Sequence, residues 1–138
     1  MPKDTKPLLR NTKSFLGSYW VAILWAAFIM LLCGLPGKDL PNIDFWEIDI
    51  EDKLAHAGVF GILGFLMVYG SVRRKGRTNL SNMHIYRLML VAAIYGGLTE
   101  IFQELFFPSR FGDVSDFIAD ALGAFLGILV ARKLLTKK

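Results

Sequence analysis

The stretch Ser14–Gly37, SFLGSYWVAILWAAFIMLLCGLPG, contains no Asp, Glu, Lys or Arg. An uncharged apolar run of about 18 residues or more is long enough to cross the hydrocarbon of a bilayer as a helix. Leu54–Val72 repeats the pattern, with His56 as its one departure. Two further apolar segments, Leu88–Phe107 and Phe117–Ala131, carry Glu100, Glu104 and Asp120. In lipid, backbone polar groups must be satisfied internally, which leaves helices or closed barrels. Four segments of this length joined by polar connections predict an all-α fold, a four-transmembrane-helix bundle.

With 138 residues, 54% of them hydrophobic, the chain is expected to form one membrane domain over 1–138, and disordered or fibrous classes are excluded. The single Cys33 excludes an intrachain disulfide and says nothing about redox compartment. Leu32 stands before it in LLCG, where a lipoprotein signal needs a small residue. The first apolar run also exceeds the roughly 7–15 residues of a secretory signal core, so it reads as a retained span.

The net charge of +4 is segregated along the chain. Lys3, Lys6, Arg10 and Lys13 precede the first span, Arg73, Arg74, Lys75, Arg77 and Arg87 separate the second from the third, and Arg132, Lys133, Lys137 and Lys138 follow the fourth. Only Lys38, Lys53 and Arg110 remain for the other two connections, among Asp39, Asp44, Glu47, Asp49, Glu51, Asp52, Asp113 and Asp116. Basic residues are retained on the cytoplasmic side, so both termini are expected to be cytoplasmic and the acidic loops external. The basic clusters then act as topology signals touching anionic lipid, and nucleic acid is not an expected partner. The expected location is the bacterial cytoplasmic membrane, multi-pass.

Pro36-Gly37 is expected to end the first helix, which starts near Phe15; the second begins near Asp52. Phe45, Trp46, Ile48 and Ile50 alternate with acids and suit a segment lying on the outer interface. Gly58, Gly61 and Gly64 read as a packing face on the second helix, with Gly96-Gly97, Gly123 and Gly127 as counterparts, because small residues let helices approach closely.

Depth brings the polar residues together. Counting about 1.5 Å per residue from the outer ends sets Glu100 roughly 10 Å deep, Glu104 roughly 5 Å, and Asp120 and His56 roughly 6 Å. Residues four apart share a helix side, so Asp52 with His56, Glu100 with Glu104, and Asp116 with Asp120 form one-sided pairs, with Gln103 flanking the second and Lys53 and Arg110 at the rim. A charged group at mid-span costs about 2.5–3.5 kcal/mol, so these faces are expected to meet one another or water. The bland account keeps some of them structural: Ser115 or Asp113 can cap the fourth helix, and Asp116 suits the positive end of its dipole.

These residues carry a resemblance. DKLAHAGVFGILGFL, then TEIFQELFFPSR, then DVSDFIADALGAFLG resembles the VanZ-like family of small multi-pass membrane proteins over about 52–127. Its pattern, D-K-x-x-H, E-x-x-Q, an Arg, an Asp and a small-residue helix, is matched by Asp52, Lys53, His56, Glu100, Gln103, Arg110, Asp116, Gly123 and Gly127. Many relatives carry Asn where this chain has Asp120. The resemblance implies a role in the cell envelope at the outer face of the membrane, and it specifies no substrate.

The resulting expectation is an integral envelope protein with an outward-facing polar site that binds or helps move an envelope lipid or wall-precursor group, with proton coupling as a variant. Candidate binding or relay residues are Asp52, Lys53, His56, Glu100, Gln103, Glu104, Arg110, Asp116 and Asp120. Membrane lipids are the expected partners, a lipid-linked precursor among them. The alternatives are a structural or accessory subunit, in which the layer fixes helix register, and an intramembrane enzyme with Glu100 or Glu104 as general base and His56 as acid, base or metal ligand, His with several carboxylates being a permitted ligand set. No triad order, phosphate loop, dinucleotide fingerprint or cysteine nucleophile stands out, so no catalytic residue and no cofactor are assigned. No H-x-x-x-H or E-x-x-H spacing occurs on one helix, and no metal is assigned either.

Overall fold

The computed structural model describes residues 6–34, 50–75, 80–106 and 114–136. They form four helices: α1 (Lys6–Cys33), α2 (Ile50–Lys75), α3 (Asn82–Phe106) and α4 (Val114–Leu135). Each contains a stretch long and apolar enough to cross a membrane, Phe15–Cys33, Asp52–Lys75, Asn82–Phe106 and Val114–Leu135. No strand occurs among the described residues. The interfacial segment expected around Phe45–Ile48, the Pro36-Gly37 stop, and the residues Arg110 and Asp113 lie outside them.

The helix ends follow local chemistry. The α3 helix starts six residues before its apolar run because Ser81 caps it: the His84 amide donates to Ser81 Oγ at 3.2 Å and the Ile85 amide to the Ser81 carbonyl at 3.1 Å. At the close of α1, the Gly34 amide donates to the Met30 and Leu31 carbonyls. Val114 opens α4, so Ser115 lies within the first turn rather than at the cap, and Asp116 sits in that turn. Arg73, Arg74 and Lys75 finish α2 and Arg132 and Lys133 finish α4, where cations complement the helix dipole.

The most extensive contact joins α2 to α4, and glycine makes it. A Cβ added at Gly123 would fall on the Ala57 carbonyl, at Gly127 on the Gly61 carbonyl, and at Gly64 on the Ala124 carbonyl. Backbone therefore meets backbone, and van der Waals packing of this closeness is what drives association where lipid tails remove the hydrophobic effect. Val68, Ala124, Ile128 and Ala131 are fully buried along this seam. The expected strip shifts by one member: Gly58 is exposed with nothing near its missing Cβ, and Ala57 takes its place. A strict three-residue step drifts about 60° around a helix per step, whereas 57, 61, 64 and 68 hold one side.

The α1 helix packs on α2 and touches α3 lightly; among the described residues it does not meet α4. Two aromatic hydrogen bonds to backbone carbonyls help to fasten it. Trp25 Nε1 donates to the Val59 carbonyl at 2.9 Å, and Tyr95 Oη donates to the Ala26 carbonyl at 2.5 Å. Its other face leaves Trp20, Leu24, Phe28 and Leu31 exposed, while α3 exposes Leu90, Ile94, Leu98 and Ile101, and α4 exposes Leu122, Leu126 and Leu129. So continuous an apolar surface is far beyond what a water-soluble domain tolerates, and lipid satisfies it.

Candidate functional site

The bundle has two chemically distinct ends. At one, α2 and α4 begin and α3 finishes; we call this the acidic end. The Ala57–Gly123 backbone contact forces the residues just outside it together, so His56 of α2 and Asp120 of α4 face each other with His56 Nδ1 2.9 Å from Asp120 Oδ1. With the carboxylate ionised, the Nδ1–H donates and Nε2 is left as the acceptor. Asp120 is fully buried, and its other oxygen, Oδ2, makes no hydrogen bond within the described residues.

The third wall is α3. Gly96 lies opposite Asp120, where a Cβ would come 3.3 Å from Asp120 Cβ and 3.6 Å from Oδ2, so glycine lets the carboxylate fit. One turn on, Thr99 is buried and turns its hydroxyl back to the Gly96 carbonyl at 2.7 Å. Glu100 and Gln103 are buried beside it. Donor atoms of His56, Glu100 and Asp120 all lie within 4.8 Å of one another, and those of Asp52, His56 and Asp116 form a second such group. His56 thus belongs to both a buried carboxylate pair and a pair nearer the helix starts, where Asp52 is exposed and Asp116 half-buried.

Among the sequence-derived candidates, His56, Glu100 and Asp120 converge from three helices, Gln103 lines the same face of α3, and Asp52 and Asp116 flank His56. Lys53 is half-buried on α2. Glu104 departs from the expectation that it shares the buried side of Glu100, because it is exposed. The buried side of α3 runs through Gly96, Thr99, Glu100 and Gln103, and Glu104 lies about 100° past Gln103 on that helix. Arg110 falls outside the described residues.

A second polar group, at the basic end, was not expected from the sequence. Ser71 of α2 is fully buried and its hydroxyl donates to the Met67 carbonyl at 3.0 Å. Tyr19 Oη of α1 lies 2.8 Å from Ser71 Oγ, and His84 Nε2 of α3 lies 2.9 Å from it. Lys75 Nζ reaches His84 Nδ1 at 3.4 Å, and Arg132 of α4 donates to the Leu80 carbonyl at 3.1 Å and to Asn82 Oδ1 at 2.8 Å. Tyr19, Ser71 and His84 all lie within about one turn of the basic ends of their spans, and matching depths from that side would have found them.

One imidazole, two buried carboxylates and a buried amide on α3 can bind a cation or a hydrogen-bonding head group, or pass a proton between buried and rim carboxylates. The model of the VanZ/LLP1 family matches residues 15–136, which takes in all four spans and both polar groups. No curated protein and no solved structure matches the chain. By its sequence over nearly its whole length, this multi-pass helical membrane protein belongs to the VanZ/LLP1 family.

Proposed function

We propose that the chain is an integral protein of a bacterial cytoplasmic membrane that binds the polar part of an envelope lipid or lipid-linked wall precursor at its acidic end, which faces outward. The convergence of His56, Glu100 and Asp120 from three helices carries this reading. Ionisable side chains inside a membrane span are costly, and interhelical hydroxyls or amides hold register with less desolvation. The charge segregation supports the orientation, with the termini and the Arg73–Arg87 connection cytoplasmic. A head group offering amide, amine or sugar hydroxyl donors suits Glu100 and Gln103, and Lys53 and Arg110 are the cations the sequence offers a phosphate. The His56–Asp120 pair gives a proton-coupled variant.

Two measurements test it. A cysteine reporter at Asn42 should react with an impermeant reagent added to intact cells, and one at Thr78 should not; the reverse pattern overturns the orientation. Purified protein should bind a subset of envelope phospholipids or polyprenyl-linked aminosugar precursors, with Glu100→Gln and Arg110→Ala each weakening one class by about 10- to 100-fold, the scale of a charge-assisted hydrogen bond. An unchanged profile in both folded variants would hand the polar layer to the structural reading.

A further inference from the structure

We infer that His56, Glu100 and Asp120 form a site for one divalent transition-metal ion of the zinc or manganese class. One imidazole nitrogen and two carboxylate oxygens, each on a separate helix, offer donors within 4.8 Å of one another. An ion with bonds near 2.0–2.2 Å holds tetrahedral ligands roughly 3.4 Å apart, a spacing within reach of rotamer adjustment alone. No pair of these ligands shares a helix, which is why no metal-binding spacing is visible along the chain.

The second observation is the state of Asp120. Its side chain is fully buried, Oδ1 orients His56, and Oδ2 is a buried acceptor with no hydrogen bond among the described residues. Buried acceptors are nearly always satisfied, and an exception is accounted for by strain, by a functional role, or by a water or ion. Gly96 preserves the space beside that oxygen, since a Cβ there would come within 3.6 Å of it. The ion takes the place of the proton that His56 Nδ1 shares with Asp120, so Nδ1 becomes the ligand and the ring proton moves to Nε2; an ion on Nε2 would lie beyond the ring, out of reach of Asp120.

Charge and donor type select the ion. Two carboxylates with a neutral imidazole sum to two negative charges, which a divalent cation cancels inside the span. Mixed imidazole and carboxylate donors suit zinc and manganese, whereas a calcium or magnesium site is built from oxygen alone. The rim group Asp52 and Asp116, sharing His56, supplies a path from the helix starts to the buried ligands. Three protein ligands also leave a coordination position open. If the proposed head-group binding holds, a phosphate or sugar oxygen can take that position, and an otherwise acidic layer becomes able to accept an anion.

The test uses the full chain purified in detergent, stripped with EDTA and titrated separately with Zn²⁺ and Mn²⁺. Elemental analysis after dialysis should find about one ion per chain, and the ion should raise the heat-unfolding midpoint. Asp120→Asn and Glu100→Gln should each weaken binding by about 10- to 100-fold or more and abolish the thermal shift. His84→Gln, which removes the other histidine, should leave both unchanged. Retained helicity and a monodisperse elution profile qualify the variants. The stripped protein charged with Co²⁺ gives a second readout, visible bands that Asp120→Asn removes. Binding well below one ion per chain, or equal affinity in all variants, overturns the site. Head-group binding that persists without any metal uptake refutes the ion alone, and metal uptake without head-group binding refutes the head-group reading alone.

Discussion

The acidic and basic ends solve the same mechanical problem with different chemistry. Each end ties three helices together, and their centres on α2, His56 and Ser71, are about fifteen residues or roughly 22 Å apart. At the basic end the central group is a hydroxyl whose neighbours, Tyr19, His84 and the Met67 carbonyl, all lie at hydrogen-bonding distance. At the acidic end the central groups are carboxylates around an imidazole, and Asp120 Oδ2 has no such neighbour among the described residues. At the basic end the layer is centred on a hydroxyl, with His84 as its ionisable neighbour, Lys75 and Arg132 at the rim, and no carboxylate among the described groups. Two buried carboxylates at the other end are the costly addition, and that excess is the physical argument for a ligand there.

Both ends depend on the glycine seam between α2 and α4, so the largest effect is expected from closing it. Gly127→Val would drive a branched Cβ into the Gly61 carbonyl, a backbone atom that cannot rotate away. The helices must separate, and the cost should reach about 3 kcal/mol or more, the upper end for overpacking. Heat unfolding in detergent should show a large loss for this variant, together with loss of binding at the acidic end. A Gly127→Val protein with wild-type heat stability would mean that the two ends are assembled independently of the seam.

The four-helix fold was legible because hydrocarbon imposes one requirement on every residue of a span, and Ser14–Gly37 or Leu54–Val72 meets it without ambiguity. Counting depth from the helix ends also brought His56, Glu100 and Asp120 into one layer, since rise along a helix is uniform. Rotation about the helix was less legible. Spacings of four and three place Glu104 and Gly58 on buried faces, and small angular drifts turn both outward. The Tyr19–Ser71–His84 group escaped because hydroxyls carry no charge to flag them in an apolar run, and because their pairing depends on which helices are neighbours.

Substituting the centre of each layer with a near-isostere separates glue from site. Ser71→Ala removes a fully buried hydroxyl and leaves Tyr19 and His84 without their shared neighbour, so it should cost about 1–2 kcal/mol. Binding of lipid or metal at the acidic end should be unaffected. Asp120→Asn keeps the volume and an oxygen to accept from His56 Nδ1–H, so its stability cost should stay below about 1 kcal/mol while binding falls sharply. Parallel unfolding and binding curves for the two variants decide the matter. Should Asp120→Asn lose stability like Ser71→Ala and keep its binding, the two ends are the same kind of device.

The smallest effect is expected from Gly58, and it sharpens the account of why His56 faces Asp120. In α2, Ala57, Gly61 and Gly64 meet α4 backbone to backbone, and Gly58 lies off that contact with open space at its missing Cβ. In water, Gly→Ala in a helix would gain about 0.8–1 kcal/mol. Within a bilayer the separated helix is already helical, because its backbone groups have no other partners, and most of that gain disappears. Gly58→Ala should therefore change stability by less than about 0.5 kcal/mol, and lipid or metal binding not at all. Gly61→Ala makes the paired comparison: its Cβ would lie 3.3 Å from the Gly123 carbonyl oxygen, tight enough to push on the seam one turn from His56. It should weaken acidic-end binding as well as stability, by displacing the imidazole relative to Asp120. If Gly58→Ala is the damaging variant and Gly61→Ala the silent one, α2 is rotated by a residue from the orientation described, and His56 and Asp120 would no longer face each other.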